Sequence, residues 1–380
     1  MPPSRVDTFD NIDVLSPVEN PASGLGRQIK KIALRERFFL LLLGLGFMTA
    51  GMFYQNAAIA RWIGFLFAGY AAIGNDSIQT IGTFLASNKK QPWWLLWLFM
   101  GSIFFATALY SFIQYGGDVS YGRLSTKGFS QTPQAFSFLQ IAAPLFLLVL
   151  TRLRMPVSTT FLLLTSFTTA ASSVGKVLGK SLSGYVVAFG CAFLIYLAVA
   201  KLMERWTSQT KPHAGWRVAQ WSISGLLWSF WLMQDAANIA VYLPRQMNWI
   251  EFAGFAVVIL AGLAWLFRAR GERIQEVVDE KSSVVDVRAA TLVDFIYAGI
   301  IYYFKVVSSV PMSTTWVFIG LLGGRELAIA FRRSSAIGSR GAFRMICKDL
   351  LYVGIGLLVS IVLAAAANDG FRDELLSLLH

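Results

Sequence analysis

Four short motifs carry the residues of this chain that could do chemistry. Asn75-Asp76-Ser77-Ile78-Gln79 is followed, 80 residues after its Asp, by Pro156-Val157-Ser158-Thr159-Thr160. Gln234-Asp235-Ala236-Ala237-Asn238 is followed after 76 residues by Pro311-Met312-Ser313-Thr314-Thr315. Each first motif reads amide-Asp-x-x-amide inside a long apolar run. A carboxylate near the centre of a bilayer costs about 2.5–3.5 kcal/mol or more, so an Asp there needs a functional reason. On a helix, Asp76 and Gln79 share a face, as do Asp235 and Asn238. Each pair joins a carboxylate to an amide carbonyl, the hard oxygen ligands a sodium ion takes. The bland alternative is polar glue between helices. Two equivalent pairs in a duplicated chain favour one site at the interface of two repeats.

The second motifs suit an anion. Pro156 and Pro311 fit the first turn of a helix, where the missing N–H costs nothing. The Ser-Thr-Thr after each adds hydroxyls beside unpaired backbone N–H groups at a positive helix end. Ser158 and Ser313 would serve as plain N-caps in the simplest reading. Two such ends, meeting from opposite repeats, would cradle a tetrahedral oxyanion. Two ionised Asp and a divalent anion repel severely in a dry cavity, where charges interact many times more strongly than in water. Bound cations or protons must compensate, which makes the expected activity cation-coupled symport, with sodium and protons both open.

Those motifs need membrane helices to hold them. The chain has 380 residues, 56% hydrophobic and 14% charged, with a mean hydropathy of +0.57. A soluble domain carries about 25% charged residues, so an integral membrane protein is expected. Apolar segments fall at roughly 38–55, 61–87, 92–113, 134–153, 156–173, 178–201, 217–243, 248–269, 289–309, 311–330 and 346–368. Runs of about 20 residues fit α-helical crossings, and the short alternating segments of membrane β-barrels are absent. The first segment stands alone, and the other ten form two sets of five with the motifs in matching members. The fold class expected is an all-α polytopic membrane protein of about 11 transmembrane or re-entrant helical segments, in two inverted five-segment repeats plus an extra N-terminal helix. The parts are a cytoplasmic tail (1–35), the extra helix (36–57), repeat 1 (58–205), repeat 2 (213–368) and a C-terminal tail (369–380).

Charge placement sets the orientation. The net charge is +12, but the basic residues sit at the ends of apolar runs, which argues for membrane orientation and against nucleic acid. With a cytoplasmic N-terminus and every segment crossing, 25 of the 33 Lys and Arg fall on the cytoplasmic side, leaving 8. A bacterial-type inner membrane fits. The polar start, with Asp7, Asp10 and Asp13, resembles no cleavable signal peptide. Arg27–Arg35 reads as a surface amphipathic helix or a solvated tail. Neither Cys191 with Cys347 nor His213 with His380 suggests a disulfide or a histidine metal site, and no cofactor is expected. Five-crossing repeats must be inverted; re-entrant Pro-x-Ser-Thr-Thr segments would change the count and keep the inversion.

With Gly82-Thr83 after it, the first motif resembles the signature of the inorganic phosphate transporter (PiT) family, Gly-Ala-Asn-Asp-Val-Ala-Asn-Ala-Phe-Gly-Thr. Asn75, Asp76, Gly82 and Thr83 match, and Gln79 stands where the family has Asn. In the second copy Asp235, Ala237 and Asn238 match, and Gln234 replaces Asn. The two Ser-Thr-Thr motifs resemble the family's Pro-Val-Ser-Thr-Thr-His. The likeness runs from about residue 60 to 345. It implies phosphate uptake coupled to sodium or protons. Cations would bind Asn75, Asp76, Gln79, Gln234, Asp235 and Asn238, with Asp76 and Asp235 as the sodium carboxylates. Phosphate would bind Thr83, Ser158, Thr159, Thr160, Ser313, Thr314 and Thr315.

This chain departs from the pattern. Phe161 and Trp316 stand where the family has His, and the longer Gln occupies one amide position in each repeat. Sulfate or another tetrahedral oxyanion fits the same residues, as does a sensor that binds without transport. A hydrolase using Asp76 and Asp235 as a dyad leaves the prolines and Ser-Thr-Thr without a role. Trp93, Trp94, Trp216 and Trp249 read as interfacial anchors. Gly323-Gly324-Arg325-Glu326 reads as a basic cytoplasmic anchor, and Asp294 as either a helix-packing or a proton-relay residue. The oligomeric state, a homodimer included, is open.

Overall fold

The computed structural model describes residues 36–125, 130–153, 155, 157–168, 171–209, 212–269, 286–307, 311–332 and 338–379. The tail 1–35 with its basic stretch, Pro156, Arg154 and most of the 268–288 loop lie outside them. Contacts divide the chain into residues 1–48 and residues 49–380. The described part of the first holds most of α1 (Arg37–Phe53), whose 17 residues are apolar apart from Arg37 and Thr49.

The second unit is helical: α2 (Ala57–Asn75), α3 (Ser77–Ser87), α4 (Trp93–Gln114), α5 (Phe138–Arg152), α6 (Thr159–Leu162), α7 (Ala171–Gln209), α8 (Ala214–Ala240), α9 (Trp249–Arg268), α10 (Val287–Val307), α11 (Thr314–Phe331), α12 (Gly338–Ala367) and α13 (Asp369–Leu379). Among the described residues, seven helices are long and apolar enough to cross a membrane. The chain is an integral membrane protein by that measure.

Two sets of contacts define the ends of this bundle. At the first end, the 115–137 loop meets the turn after α8: Met247 N donates to Gly117 O at 3.1 Å and Arg245 Nη2 to Gln131 O at 2.8 Å. At the second, Asn88 Nδ2 donates to Gln220 Oε1 at 3.0 Å and Trp221 Nε1 to Asn88 Oδ1 at 3.1 Å. Here too Asp286 caps α10, and its hydrogen bonds from Arg288 hold its carboxyl below the usual carboxylate range.

The paired Pro-x-Ser-Thr-Thr segments are hairpins of opposite sense. α5 starts at the first end behind a Ser137–Gln140 capping box. It reaches the depth of Asn75, where Thr151 Oγ1 donates to Asn75 Oδ1 at 3.3 Å. The chain then turns back, so that Gln140 Nε2 donates to Ser166 O at 3.0 Å. α10 starts at the second end, and Tyr297 OH donates to Thr314 O at 3.1 Å where α11 begins its return. Helices α2–α3 and α8 likewise run in opposite directions. This is an inverted repeat.

The structure decides between two alternatives the sequence leaves open and corrects one reading. Segments 134–153 and 156–173 are not two crossings: the second is a four-residue helix followed by a 3-10 turn, Leu164–Phe167. Arg152 therefore ends a helix at a hairpin tip and leaves the count of cytoplasmic charges. Gly323-Gly324-Arg325-Glu326 is no surface anchor, because it lies inside α11 with Arg325 only 6% exposed. Arg325 is held by Glu326 at 2.6 Å and sits over the Tyr196 ring at 5.7 Å. Two glycines allow this burial: a Cβ on Gly320 would meet Tyr185 O at 2.5 Å, and one on Gly324 would overlap Phe189 O. The C-terminal tail is also structured, since Phe371 of α13 is buried and Glu374 accepts from Ala171 N at the start of α7 at 2.9 Å.

Candidate cation and oxyanion site

The site forms where the hairpin tips meet the two amide-Asp motifs. In repeat 1 the helix stops at Asn75 and restarts at Ser77, with Asp76 as the joint. The joint lies two residues after Gly74. Repeat 2 has no break, because α8 runs through Asp235 to Ala240. The carboxylate residues are nonetheless equally hidden, at 0% and 2% exposure.

Asp76 collects its donors within its own repeat. Asn75 Nδ2 donates to its Oδ1 at 2.6 Å and Gln79 Nε2 to the same atom at 3.3 Å. The Thr159 hydroxyl, on the hairpin tip of the same repeat, donates to Oδ2. Asp235 is served by Asn238 Nδ2 at 2.6 Å and Thr160 Oγ1 at 3.5 Å. Asn238 Nδ2 further contacts Thr159 Oγ1 at 3.0 Å and Thr160 Oγ1 at 3.1 Å. Thr159 and Asn238 thus bridge the two carboxylates.

The duplicated amides divide their work by position. The second amide of each motif crosses to the other repeat: Gln79 Nε2 to Thr315 Oγ1 at 3.0 Å, and Asn238 to Thr159 and Thr160. The first amide holds its own repeat, with Asn75 Nδ2 donating to Val157 O at 2.9 Å and Gln234 Nε2 to Ile301 O at 3.5 Å. The hairpin tips touch directly, Thr160 Oγ1 donating to Met312 O at 3.3 Å.

Ser158 and Ser313 are N-caps, accepting from Phe161 N at 3.2 Å and Trp316 N at 3.4 Å. Pro311 accordingly sits two residues before the cap and not in the first turn, because a serine oxygen caps an open helix end better than proline does. The anion-attracting end is also unequal: α11 has 18 residues, while α6 has only 4. Thr83 stands apart from the other hydroxyls. It donates to Asp294 Oδ1 at 2.6 Å, while Ser224 donates to Asp294 Oδ2. Asp294 is therefore buried in a hydroxyl clamp between α3, α8 and α10.

Among the described residues, four oxygens of the duplicated motifs have no hydrogen-bond partner, Gln79 Oε1, Gln234 Oε1, Asp235 Oδ2 and Asn238 Oδ1; outside the motifs Tyr196 OH, Trp231 Nε1 and Arg325 Nε have none either. All four are buried and all belong to the duplicated motifs. A buried oxygen without a donor costs about 1–3 kcal/mol. A hard cation coordinated by carboxylate and amide carbonyls would remove that cost.

Sequence reasoning missed three features. Phe161 and Trp316, in the two positions where His was expected from the resemblance, pack on each other with ring centroids 5.3 Å apart. They belong to a buried apolar cluster with Val177, Ile319 and Phe371. Arg123, buried in the 115–137 loop, donates from Nε to Met233 O at 2.7 Å. No motif marked it; only the glycines around it set that loop apart. Thr151, which holds Asn75, had no signal in sequence at all.

No family model matches this chain, and no curated protein does. A solved structure of a sodium-dependent phosphate transporter is similar, with a TM-score of 0.57 and 16% identity over 85% of this chain and 99% of that one. The likeness establishes the fold as that of a polytopic transporter.

Proposed function

We propose that this protein is a secondary symporter that carries inorganic phosphate together with a cation, sodium or proton. The four unpartnered oxygens on the duplicated motifs carry the reading. They are the acceptors a cation would take, and they adjoin a set of threonine hydroxyls that an oxyanion would take. The name of the similar solved structure supports both phosphate as cargo and sodium as the coupling ion. Sodium also suits the chemistry of the orphaned atoms, since amide carbonyls coordinate metal ions and hold protons poorly.

In this reading Asp76, Asp235, Gln79, Gln234 and Asn238 bind the cation, with Asn75 fixing Asp76. Thr159, Thr160, Thr314 and Thr315 bind the oxyanion, and α11 adds its positive end. Ser158 and Ser313 set the tips' geometry, and Thr83 acts from a distance through Asp294. The charge balance explains coupling: cation and anion each lower the cost of the other's entry. The described arrangement is closed, because Asp76, Asp235, Asn238, Thr159 and Thr314 are all 2% exposed or less. Rocking of one repeat against the other would open the site to either end in turn. The basic residues near α3–α4, α7–α8 and α11–α12 support a cytoplasmic second end, in keeping with a bacterial-type inner membrane.

A hydrolase reading does not suit this geometry, because a shared-proton dyad needs carboxylates in direct contact and these are bridged by Thr159 and Asn238. The test is uptake into proteoliposomes of radiolabelled phosphate and, separately, sulfate, with and without sodium and proton gradients. Phosphate accumulation that collapses when the cation gradient is removed supports the proposal. Uptake of sulfate alone moves the cargo to another oxyanion. Binding without uptake makes the protein a sensor.

A further inference from the structure

One buried carboxyl stands outside the cation and oxyanion site. Asp294 of α10 is 1% exposed, and an acidic side chain at membrane depth calls for a functional reason. Thr83 Oγ1 of α3 donates to its Oδ1 at 2.6 Å, and Ser224 Oγ of α8 donates to its Oδ2. Both donors are neutral. No basic side chain among the described residues bonds it. α3 has no ionisable residue from Ser77 to Ser87, Arg217 of α8 is exposed, and Arg288 of α10 bonds Asp286 at 2.7 Å. From α7, Tyr196 lies within electrostatic reach of Asp294. From α11, Arg325 covers that tyrosine's ring but pairs with Glu326 at 2.6 Å.

An ionised carboxylate with neutral donors alone is costly in a dry interior, and such a group holds a proton instead. A metal ion suits this place poorly. The duplicated motifs offer oxygens without donors, whereas both Asp294 oxygens already face hydroxyl protons. A proton needs only one carboxyl oxygen, and a hydroxyl turns from donor to acceptor to receive it.

Buried polar groups link Asp294 to the second end. Ser87 Oγ donates to Thr83 O at 2.7 Å, and Gln220 Nε2 donates to Ser87 Oγ. Asn88 Nδ2 donates to Gln220 Oε1 at 3.0 Å, joining repeat 1 to repeat 2. Asn88 and Gln220 are 3% and 0% exposed, yet Lys89 and Lys90, next along the chain, are exposed. One contact between repeats therefore separates this column from the surface.

We propose that Asp294 is a proton-binding site, neutral while the second end is closed, whose proton passes to water at that end when the Asn88–Gln220 contact parts. The O–H bond of the carboxyl breaks, water takes the proton, and the carboxylate left behind favours the hydrated, open arrangement. Closure is favoured at low pH on the second-end side and is lost as that pH rises. The effect on transport rests on the symport reading given above; the proton itself does not.

Infrared difference spectra of the protein in lipid vesicles test the proton, because a protonated carboxyl has a C=O stretch distinct from that of a carboxylate. The spectrum of the unsubstituted protein minus that of D294N should show this band at neutral pH, and the band should fade reversibly as pH is raised. T83V, which strips one hydroxyl from the carboxyl, should shift the band, and it decides the matter if D294N does not fold. Absence of the band, or a band unmoved in T83V, overturns the proposal. In proteoliposomes with the second end facing the lumen, phosphate uptake should rise with luminal pH, by at most about tenfold per pH unit. D294N should still bind phosphate but transport it slowly at every luminal pH. D294N that keeps the pH dependence of the unsubstituted protein overturns the release of the proton at the second end. If the unsubstituted protein takes up no oxyanion while the band is present, the symport reading falls and the proton on Asp294 stands.

Discussion

Phe161 and Trp316 show how a substitution in one repeat constrains the other. They occupy equivalent positions and meet ring to ring, with Phe161 1% and Trp316 6% exposed. Neither ring offers the site a titratable group, so the chemistry in front of them rests on carboxylates, amides and hydroxyls alone. Restoring a histidine at one position would bury a polar ring against an apolar partner, at a cost of about 1–3 kcal/mol when no hydrogen bond is gained. Phe161→His and Trp316→His should each lower the thermal midpoint in detergent by several degrees, without adding a proton-dependent step near neutral pH. Unchanged melting for both would show that the pair is not packed as described. The longer Gln at opposite positions is explained in part: Gln79 spans the gap to Thr315, where Asn238 spans the equivalent gap to Thr159 and Thr160.

The elements hold the site by close approach. α11 lies against α7 through Gly320 and Gly324, whose missing side chains let the Tyr185 and Phe189 carbonyls come in. Such close approach is how small residues pack helices in lipid, where no hydrophobic drive brings them together. Gly320→Ala or Gly324→Ala must push a backbone aside, which overpacking data put at about 1–3 kcal/mol. Each is expected to reduce the yield of folded protein and its thermal midpoint, whereas Gly354→Ala, with open space around it, is expected to change neither. The glycines were visible in the sequence, but their role was not. Gly323-Gly324-Arg325-Glu326 read as a basic cytoplasmic anchor because its charges suggested water. Arg325 instead pairs with Glu326 and covers Tyr196, contacts no local pattern encodes. Hydropathy left 156–173 as either a crossing or a re-entrant segment. Nothing in composition separates a span from a re-entrant turn of four residues and a 3-10 stretch.

At the scale of the molecule, the duplication and its inversion were legible because apolar runs, motif order and basic residues all pointed to the same arrangement. The bridging of Asp76 and Asp235 was not, since it depends on two hairpins entering from opposite ends. The proposed orientation makes a direct prediction. In a variant free of Cys191 and Cys347, single cysteines at Gln134 or Arg245 should be labelled by an impermeant thiol reagent from the extracellular face. Cysteines at Gln91 or His213 should be labelled only from the cytoplasmic face. The opposite pattern would invert the orientation while leaving the site intact.

The central claim is that both carboxylates serve one site in which cation and oxyanion bind together, and linkage tests it most directly. Phosphate affinity of the purified protein would be measured across sodium concentrations and pH, alongside Asp76→Asn and Asp235→Asn. The account predicts a phosphate Kd that falls by about tenfold or more as the coupling cation rises, and that no longer responds to the cation in either variant. A phosphate Kd indifferent to sodium and pH in the unsubstituted protein, or a response that survives both substitutions, would contradict it.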